Sequence, residues 1–254
     1  NFTSVSQAVN SLYSCGMSGP VVLRIDAGSG PYNEQVTFNG MITGLSRVNN
    51  LRISGNTTRE TITFNPTVAT LQHTIRLITV KHITLDSLTI NNTGASFGVG
   101  VHLVTTADSN FVTNSNINIS LANTSFSNSA GIAISTNTSN VTTAGNNGNN
   151  NVFDNNTING GYYGISAVGT STTVLCTKND ITNNRLIGQA DYGIYHFYQT
   201  NTKVNGNNVD SMFSTNTSSF GMRFANVDLF EINRNKINRF GQYGMYFDGT
   251  NHQN

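Results

Sequence analysis

The chain has no tryptophan, only two cysteines and three prolines, and charged residues make up 10% of its 254 positions. An ordinary globular domain carries about 25% charged residues. Two cysteines exclude a scaffold held together by several disulfides. A hydrophobic content of 37% at such low charge excludes a disordered chain. The net charge of +1 gives no basis for binding nucleic acid or an anionic membrane. We therefore expect neither as a partner.

Long apolar runs are also missing. No segment approaches the roughly 20 apolar residues of a membrane-spanning helix, so we expect no direct membrane insertion. The chain begins without methionine and without a signal peptide, so we interpret it as a mature or excised fragment. At the other end, Gly249–Asn254 shows no capping pattern. We expect that end to be capped from elsewhere or followed by more solenoid or by another module.

A short phrase, glycine followed by an apolar residue, returns six times. The steps between its glycines are 31, 33, 29, 28 and 23 residues, which is the period of a solenoid with one coil per step. Apolar residues alternate with period two after each glycine, which predicts strands rather than helices. The six phrases are Gly100-Val101, Gly131-Ile132, Gly164-Ile165, Gly193-Ile194, Gly221-Met222 and Gly244-Met245.

A pair of apolar residues five positions apart precedes each phrase. We read these pairs as Ile83/Leu88, Val112/Ile117, Phe153/Ile158, Cys176/Ile181, Val204/Val209 and Ile232/Ile237. Asparagine, of which the chain has 40, lies three residues after the first member in four consecutive coils. Stacked amides can bond to one another at a turn. This pattern predicts a structural ladder of Asn156, Asn179, Asn207 and Asn235.

These patterns predict an all-β fold of the parallel β-helix class, a solenoid of short stacked strands. Residues Ser4–Tyr13 carry apolar residues at helical spacing, with Ser4 or Ser6 as N-cap. A helix there would cover the open end of the first coil. We expect one domain over residues 1–254, with a cap region at 1–50, coils at 51–254 and an insertion loop near 137–151.

The repeat resembles that of the pectin-lyase-like superfamily of right-handed parallel β-helices. Segments Asn179–Asn184 and Asn235–Asn238, each followed by a Gly-Ile or Gly-Met strand, carry this resemblance. The opening segment from Gly19 to Phe38 looks like the capped start of β-helical modules in large secreted surface proteins of the Bacteroidetes type. The superfamily includes lyases, hydrolases, tailspikes and adhesins, so the resemblance implies a fold and leaves the activity open.

Catalytic constellations of that superfamily do not stand out in this chain. Asp154, Asp180 and Asp210 lie near predicted turns in different registers. Inverting hydrolysis needs two carboxyl groups about 6.5–9.5 Å apart, and we expect no outward column to supply two acids. Zinc spacings, nucleophile elbows and phosphate loops are absent from the sequence. We therefore predict no catalytic residues, no metal and no cofactor.

The remaining reactive side chains have structural interpretations. His196 occupies an inward slot filled elsewhere by Leu, Ile, Ala or Phe, so we interpret it as a hydrogen-bonded core histidine. His102 is predicted to face outward and to be solvated. Cys176 falls on an inward position as a small core residue, and a disulfide to Cys15 is not expected.

One outward patch has the side chains of a glycan contact. The last three coils bring together Tyr195, Phe197, Arg223, Tyr246 and Asp248. Aromatic rings can stack on sugars while Arg and Asp bond hydroxyl groups. The same side chains can instead form an aromatic–cation ladder that stabilises the sheet, or a face buried against a neighbouring module.

Three functional hypotheses follow. We favour a non-catalytic structural or adhesive module of a larger extracellular, cell-surface or filament protein, with glycans and neighbouring modules as partners. The alternative is a polysaccharide lyase or glycoside hydrolase with an unfamiliar site near Arg223. The third is an ice- or surface-binding solenoid, ranked last because Thr61/Thr63 and Thr84/Thr89 form no repeating array.

Overall fold

The computed structural model describes residues 1–210 and 217–249. In these residues the chain forms one α-helix, one short 3₁₀ helix and 25 strands, and every strand pair is parallel. The residues from 250 to 254, predicted to lack a cap, lie outside the described part. Among the described residues, no helical segment has the length and apolarity that a membrane crossing requires.

Each coil contributes one strand to each of three sheets. Helix α1 is Val5–Cys15, and the 3₁₀ helix is Ala69–Leu71. The first sheet contains β1 Val21–Ile25, β4 Leu51–Gly55, β7 Ile83–Asp86, β10 Phe111–Thr113, β13 Val152–Asp154, β17 Asp180–Thr182, β20 Lys203–Asn205 and β23 Glu231–Asn233. The second contains β2 Tyr32–Asn33, β5 Thr61–Phe64, β8 Thr89–Asn92, β11 Asn116–Ile119, β14 Thr157–Asn159, β18 Arg185–Ile187, β21 Asn208–Asp210 and β24 Lys236–Ile237.

The third sheet carries the glycine phrases. Its strands are β3 Val36–Asn39, β6 His73–Ile78, β9 Gly98–Val104, β12 Ser129–Ser135, β15 Tyr163–Val168, β19 Tyr192–Thr200, β22 Phe220–Asp228 and β25 Tyr243–Asp248, with β16 Cys176–Thr177 pairing β19. The six apolar residues that follow the predicted glycines stand in one register column, so the predicted period is confirmed. Val36 and Ile75 extend that column toward the helix.

The five-residue spacing of the apolar pairs is correct, but two pairs were assigned to the wrong residues. Leu85, not Ile83, pairs with Val112. Ile181, not Cys176, pairs with Phe153. The aligned pairs are Leu85/Ile90, Val112/Ile117, Phe153/Ile158, Ile181/Leu186, Val204/Val209 and Ile232/Ile237.

The coils begin earlier than predicted. Strand β1 pairs with β4 residue by residue from Val21, so the predicted cap region 1–50 already contains a complete coil. Helix α1 buries Val5, Ala8 and Val9. The Ser4 side chain accepts from the backbone N–H of Gln7, and Gly16 ends the helix with a positive φ of 71°.

A carboxylate from the first coil holds the start of this helix. Glu34 accepts hydrogen bonds from the backbone N–H groups of Val5 at 2.8 Å and Ser6 at 2.9 Å. Free N–H groups and a positive dipole end favour an anion at this position. The contact attaches the helix to the solenoid, and local sequence spacing gave no signal for it because 28 residues separate Ser6 from Glu34.

Amide ladders run along two corners of the solenoid rather than one. In the first ladder, Asn156 N–H bonds to Asn184 Oδ1, Asn184 N–H to Asn207 Oδ1 and Asn207 N–H to Asn235 Oδ1, at 2.9–3.0 Å. Asn179, predicted for this ladder, belongs to a second one, formed by Asn110, Asn151 and Asn179. The correction has the same cause as the Cys176 misassignment, because Asn179 is three residues from Cys176 and Asn184 is three from Ile181.

The insertion near 137–151 folds back over the outward face of the third sheet. Its Val141 is fully buried against Ala133 and neighbouring side chains, and Ser166 donates to the Val141 carbonyl at 2.9 Å. This cover corrects the prediction for His102, which faces outward yet is fully buried. Its Nε2 lies 2.8 Å from Ser135 Oγ. The insertion therefore buries the outward side of the middle coils of this sheet.

We predict that Asn184→Ala lowers the free energy of unfolding by about 2–5 kcal/mol, because it leaves buried backbone and amide groups of two coils without partners. The matched control is Asn33→Ala, an exposed strand asparagine, for which we expect a change below about 0.5 kcal/mol. Chemical denaturation of both variants measures the difference. Equal stability of the two would contradict a stabilising role for the ladder.

Candidate functional site

The aromatic face, defined as Tyr195, Phe197, Arg223, Tyr246 and Asp248, lies on the outward side of β19, β22 and β25. The register aligns Tyr195 with Arg223 and Arg223 with Tyr246. Phe197 and Asp248 both lie opposite Ala225, one on each side. The structure thus brings all five predicted residues together on three successive coils.

Arg223 is the centre of this face. Its guanidinium carbon lies 5.3 Å from the ring centroid of Phe197 and 5.9 Å from that of Tyr246, within the range of a cation–π contact. Nε donates to Asp248 at 3.1 Å, and Nη1 donates to Tyr192 Oη at 3.2 Å. About a quarter of each partner of the Arg223–Asp248 ion pair is exposed, 26% and 25% respectively. The face therefore presents rings around a charge that is already compensated.

A second row of rings, the aromatic stack, lies beside this face. Each member directly precedes a repeat glycine, and successive rings stack with centroids 5.2, 5.2 and 5.7 Å apart. The stack supports the face, because Tyr195 contacts two of its members edge-on at 5.2 Å. Sequence reasoning missed this row, although an aromatic residue before glycine in four consecutive coils is a visible signal. Its members are Tyr163, Tyr192, Phe220 and Tyr243.

The repeat glycines are required because the neighbouring residues leave no space for a side chain at these positions. A Cβ on Gly131 would lie 2.3 Å from Ile158 Cγ2 and 2.6 Å from the carbonyl oxygen of Gly164. Both distances are far below an ordinary van der Waals contact, so a larger residue would force the coils apart. The glycines thus allow the third sheet to lie close to the second. The aromatic stack runs beside them, because each of its members directly precedes one of these glycines.

Burial perturbs the ionisable groups of the face. It raises the pKa of Tyr195 to about 12, and it also raises the pKa of Tyr192, against the effect of the Arg223 hydrogen bond. Burial alone would lower the pKa of Arg223, but the bonds to Asp248 and Tyr192 outweigh it and raise that pKa. At neutral pH the tyrosines are therefore protonated hydrogen-bonding groups, and the arginine is a permanent cation.

Carboxylates align in columns that sequence reasoning did not find. On the outward side of the first sheet, Asp86 and Asp154 share a column with Thr113 between them. Asp180 and Glu231 share another, with Lys203 between them. Two strand spacings amount to about 9.6 Å, close to the upper end of the separation used in inverting hydrolysis. The expectation that no column supplies two acids is therefore wrong.

The two acids of the second column have different environments. Burial raises the pKa of Asp180, and hydrogen bonds from the amides of Asn233 and Asn205 lower the pKa of Glu231. Opposite shifts of this kind separate a general acid from a general base. Lys203 Nζ lies 3.8 Å from Glu231, however, so a cation stands between the two carboxyl groups. An open depression of about 480 Å³ lies beside Glu231.

Metal ligands do not cluster in the described part of the chain. No group of three His, Cys, Asp or Glu side chains there is arranged to hold an ion. His196 is fully buried, with Nε2 3.0 Å from Thr202 Oγ1. Cys176 is a buried free thiol, and Cys15 is an exposed one.

Solved structures share this architecture. A GH136 lacto-N-biosidase from Eubacterium ramulus superposes with a TM-score of 0.70 and 14% identity, over 97% of this chain and 51% of that one. A pectin methyl esterase from rice weevil gives 0.53 and 10%, over 99% and 87%. A pectin methylesterase in complex with a hexasaccharide gives 0.52 and 14%, over 98% and 86%. The chain has the fold of these proteins, a right-handed parallel β-helix.

These likenesses show the fold alone, because all three identities are below 25%. The chain spans about half the length of the lacto-N-biosidase that it matches. No protein-family model matches the chain. No match was found among the curated proteins either.

We predict that acid weakens the fold through buried histidines. Burial lowers the pKa of His196 from 6.5 to about 3. Between these two pH values the unfolded chain binds a proton at this histidine and the folded chain does not. The contribution of each such histidine to the free energy of unfolding is fully present above pH 6.5. It falls as the pH drops toward 3, by at most about 1.4 kcal/mol per pH unit.

Denaturation curves between pH 4 and pH 8 measure this slope. Below pH 6.5, the free energy of unfolding of His196→Phe should fall less steeply with decreasing pH than that of the wild type. Near pH 8 the two slopes should be equal. His73, whose pKa burial likewise lowers to about 3, supplies a similar contribution in both proteins. An unchanged acid slope in the variant would contradict a neutral, buried His196.

Proposed function

We propose that this chain is a non-catalytic, extracellular module of a larger cell-surface or filament protein, with a structural and adhesive role. Its partners are polysaccharides or cell-surface glycans, contacted through the aromatic face, and neighbouring modules of the same polypeptide. This proposal rests on the surroundings of Arg223, where Phe197, Phe220 and Tyr246 from three successive coils lie around a compensated cation.

The chemistry of the face supports contact with sugars. Aromatic rings offer flat apolar surface to the C–H faces of a sugar, while the polar groups of Arg223, Asp248 and Tyr246 can bond hydroxyl groups. Tyr246 and Asp248 lie on the last described strand and are partly exposed. Residues on β-helix strands hold such groups at fixed spacing, so little side-chain ordering is required on binding.

The architecture supports a structural role. Each coil adds the same ladder of backbone bonds and the same core residues to its neighbour, so stability accumulates along the axis. The outward positions carry Thr, Asn and Ser in place of charge. The resemblance of the segment from Gly19 to Phe38 to modules of secreted surface proteins supports a location outside the cell.

We predict that Tyr246→Ala weakens binding to a responsive polysaccharide at least tenfold, because it removes an outer ring of the face. Phe111→Ala is the matched control, since Phe111 is 39% exposed on the outward side of the first sheet, and it should bind as the wild type does. Titration calorimetry on glycans selected from an array gives the affinities. Equal loss in both variants, or no binding by the wild type to any glycan, would contradict the proposal.

A second candidate is a glycoside hydrolase with Asp180 as general acid and Glu231 as general base. The aligned column and the opposite pKa shifts favour it, and the lacto-N-biosidase fold is compatible with it. Lys203 between the two carboxyl groups argues against it, and we therefore rank it second.

Activity of the wild type separates the two candidates. If this second site is catalytic, polysaccharide incubation releases reducing sugar, and Asp180→Asn lowers the rate at least a hundredfold. Asp26→Asn, on an exposed residue after β1, should leave the rate unchanged. Binding without release of any sugar would exclude the hydrolase hypothesis and support the adhesive module.

A further inference from the structure

A buried arginine on the same outward column as the aromatic face has no anionic partner among the described residues. The register places Arg76 on β6 beside His102 on β9. Arg76 is 5% exposed, and none of the ion pairs in the described residues includes it. Buried charges are ordinarily paired, because removing an ion from water costs several kcal/mol.

The surroundings of Arg76 form the buried arginine cluster, which we define as Gln72, His73, Arg76 and His102. The insertion loop covers it, because the carbonyl oxygen of Thr138 accepts from Arg76 Nη2 and from Gln72 Nε2, both at 3.1 Å. Arg76 Nη1 donates to the Thr70 carbonyl at 3.0 Å. All four members are at least 95% buried.

Each member of the cluster keeps a polar atom without a hydrogen-bond partner. These atoms are Gln72 Oε1, His73 Nδ1, Arg76 Nε and His102 Nδ1. A buried polar atom without a partner costs about 1–3 kcal/mol, so one such atom on the buried cation and three on its neighbours make a costly arrangement. Such a concentration calls for a physical explanation, and a bound ion is one that accounts for unpartnered buried groups.

The unpartnered atoms are of two kinds, a donor and acceptors. Arg76 Nε–H can only donate, and Gln72 Oε1 can only accept. The Ser135 hydroxyl has one proton and donates to the Asn140 carbonyl at 2.7 Å, so it accepts from His102 Nε2–H. The neutral ring of His102 therefore has a bare Nδ1 that accepts. A simple anion would satisfy Arg76 but would leave the two acceptors unpaired.

We propose that the buried arginine cluster binds a hydroxylated carboxylate, with the carboxylate on Arg76 and hydroxyl groups donating to Gln72 and His102. A free small hydroxy acid and the uronate unit of an acidic glycan share this chemistry. The insertion loop must move to admit either, because Thr138 lies over both Arg76 and Gln72. This site is separate from the aromatic face and does not rest on its function.

The test uses the intact protein at pH 7 and constant ionic strength, with glycolate and glucuronate as probes and with acetate and glucose as controls. We expect a saturating hydroxycarboxylate to raise Tm by about 5 °C, and acetate and glucose to have much smaller effects. A response to glucuronate alone identifies an acidic glycan as the source, and a response to glycolate identifies a small acid. No response to either probe, or an equal response to acetate, overturns the proposal.

Matched variants locate the site. Arg76→Gln should abolish the shift in Tm, whereas Arg185→Gln, which removes the same charge from an exposed position on β18, should retain it. Nitrogen chemical shifts of the histidine rings give a second readout in the wild type. Binding should move the signals of His73 and His102 but not that of His196, which bonds to Thr202 elsewhere. A thermal shift without movement of the His102 signal would place binding elsewhere and refute the assignment.

Discussion

The parallel pairing of successive coils is the constraint on which this molecule depends. It makes neighbours of residues that are 23 to 41 positions apart in the chain, as the asparagine ladders show, and it holds them about 4.8 Å apart. Each ladder amide bonds to the backbone of the next coil and so keeps two coils in register. Core, ladders and surface columns all follow from this register, because each strand residue lies directly between its counterparts in the coils above and below.

The third sheet shows how one column can serve different purposes along its length. Thr37, Arg76 and His102 occupy its early coils. Thr37 is exposed, whereas the insertion loop excludes water from Arg76 and His102. Ala133 and Ser166 occupy the middle, beneath Val141. Tyr195, Arg223 and Tyr246 complete it, and each of them is partly exposed. A single insertion thus divides one surface into a buried polar cluster and an open aromatic face.

The two arginines of this column illustrate the effect of surroundings on one side chain. Arg223 has a carboxylate, a phenol and several rings as partners, and its charge is compensated. Arg76 has two neutral carbonyl groups, and burial lowers its pKa to about 10. The first arrangement holds three coils together and is the one that we propose to contact a glycan. The second is the one that we propose a carboxylate completes. Their identical chemistry would not distinguish them in the sequence.

Sequence alone determined the fold class, the helix at the start and the residues of the aromatic face, because strand periodicity and the repeat glycine are local patterns. Tertiary structure decided the register where two assignments satisfied the same spacing: Cys176, Ile181 and Leu186 are each five residues apart, so either pair fits. Only pairing with Phe153 selects Ile181. The carboxylate columns and the burial of His102 were likewise decided by coil stacking and loop packing, since both depend on contacts between residues far apart in the chain.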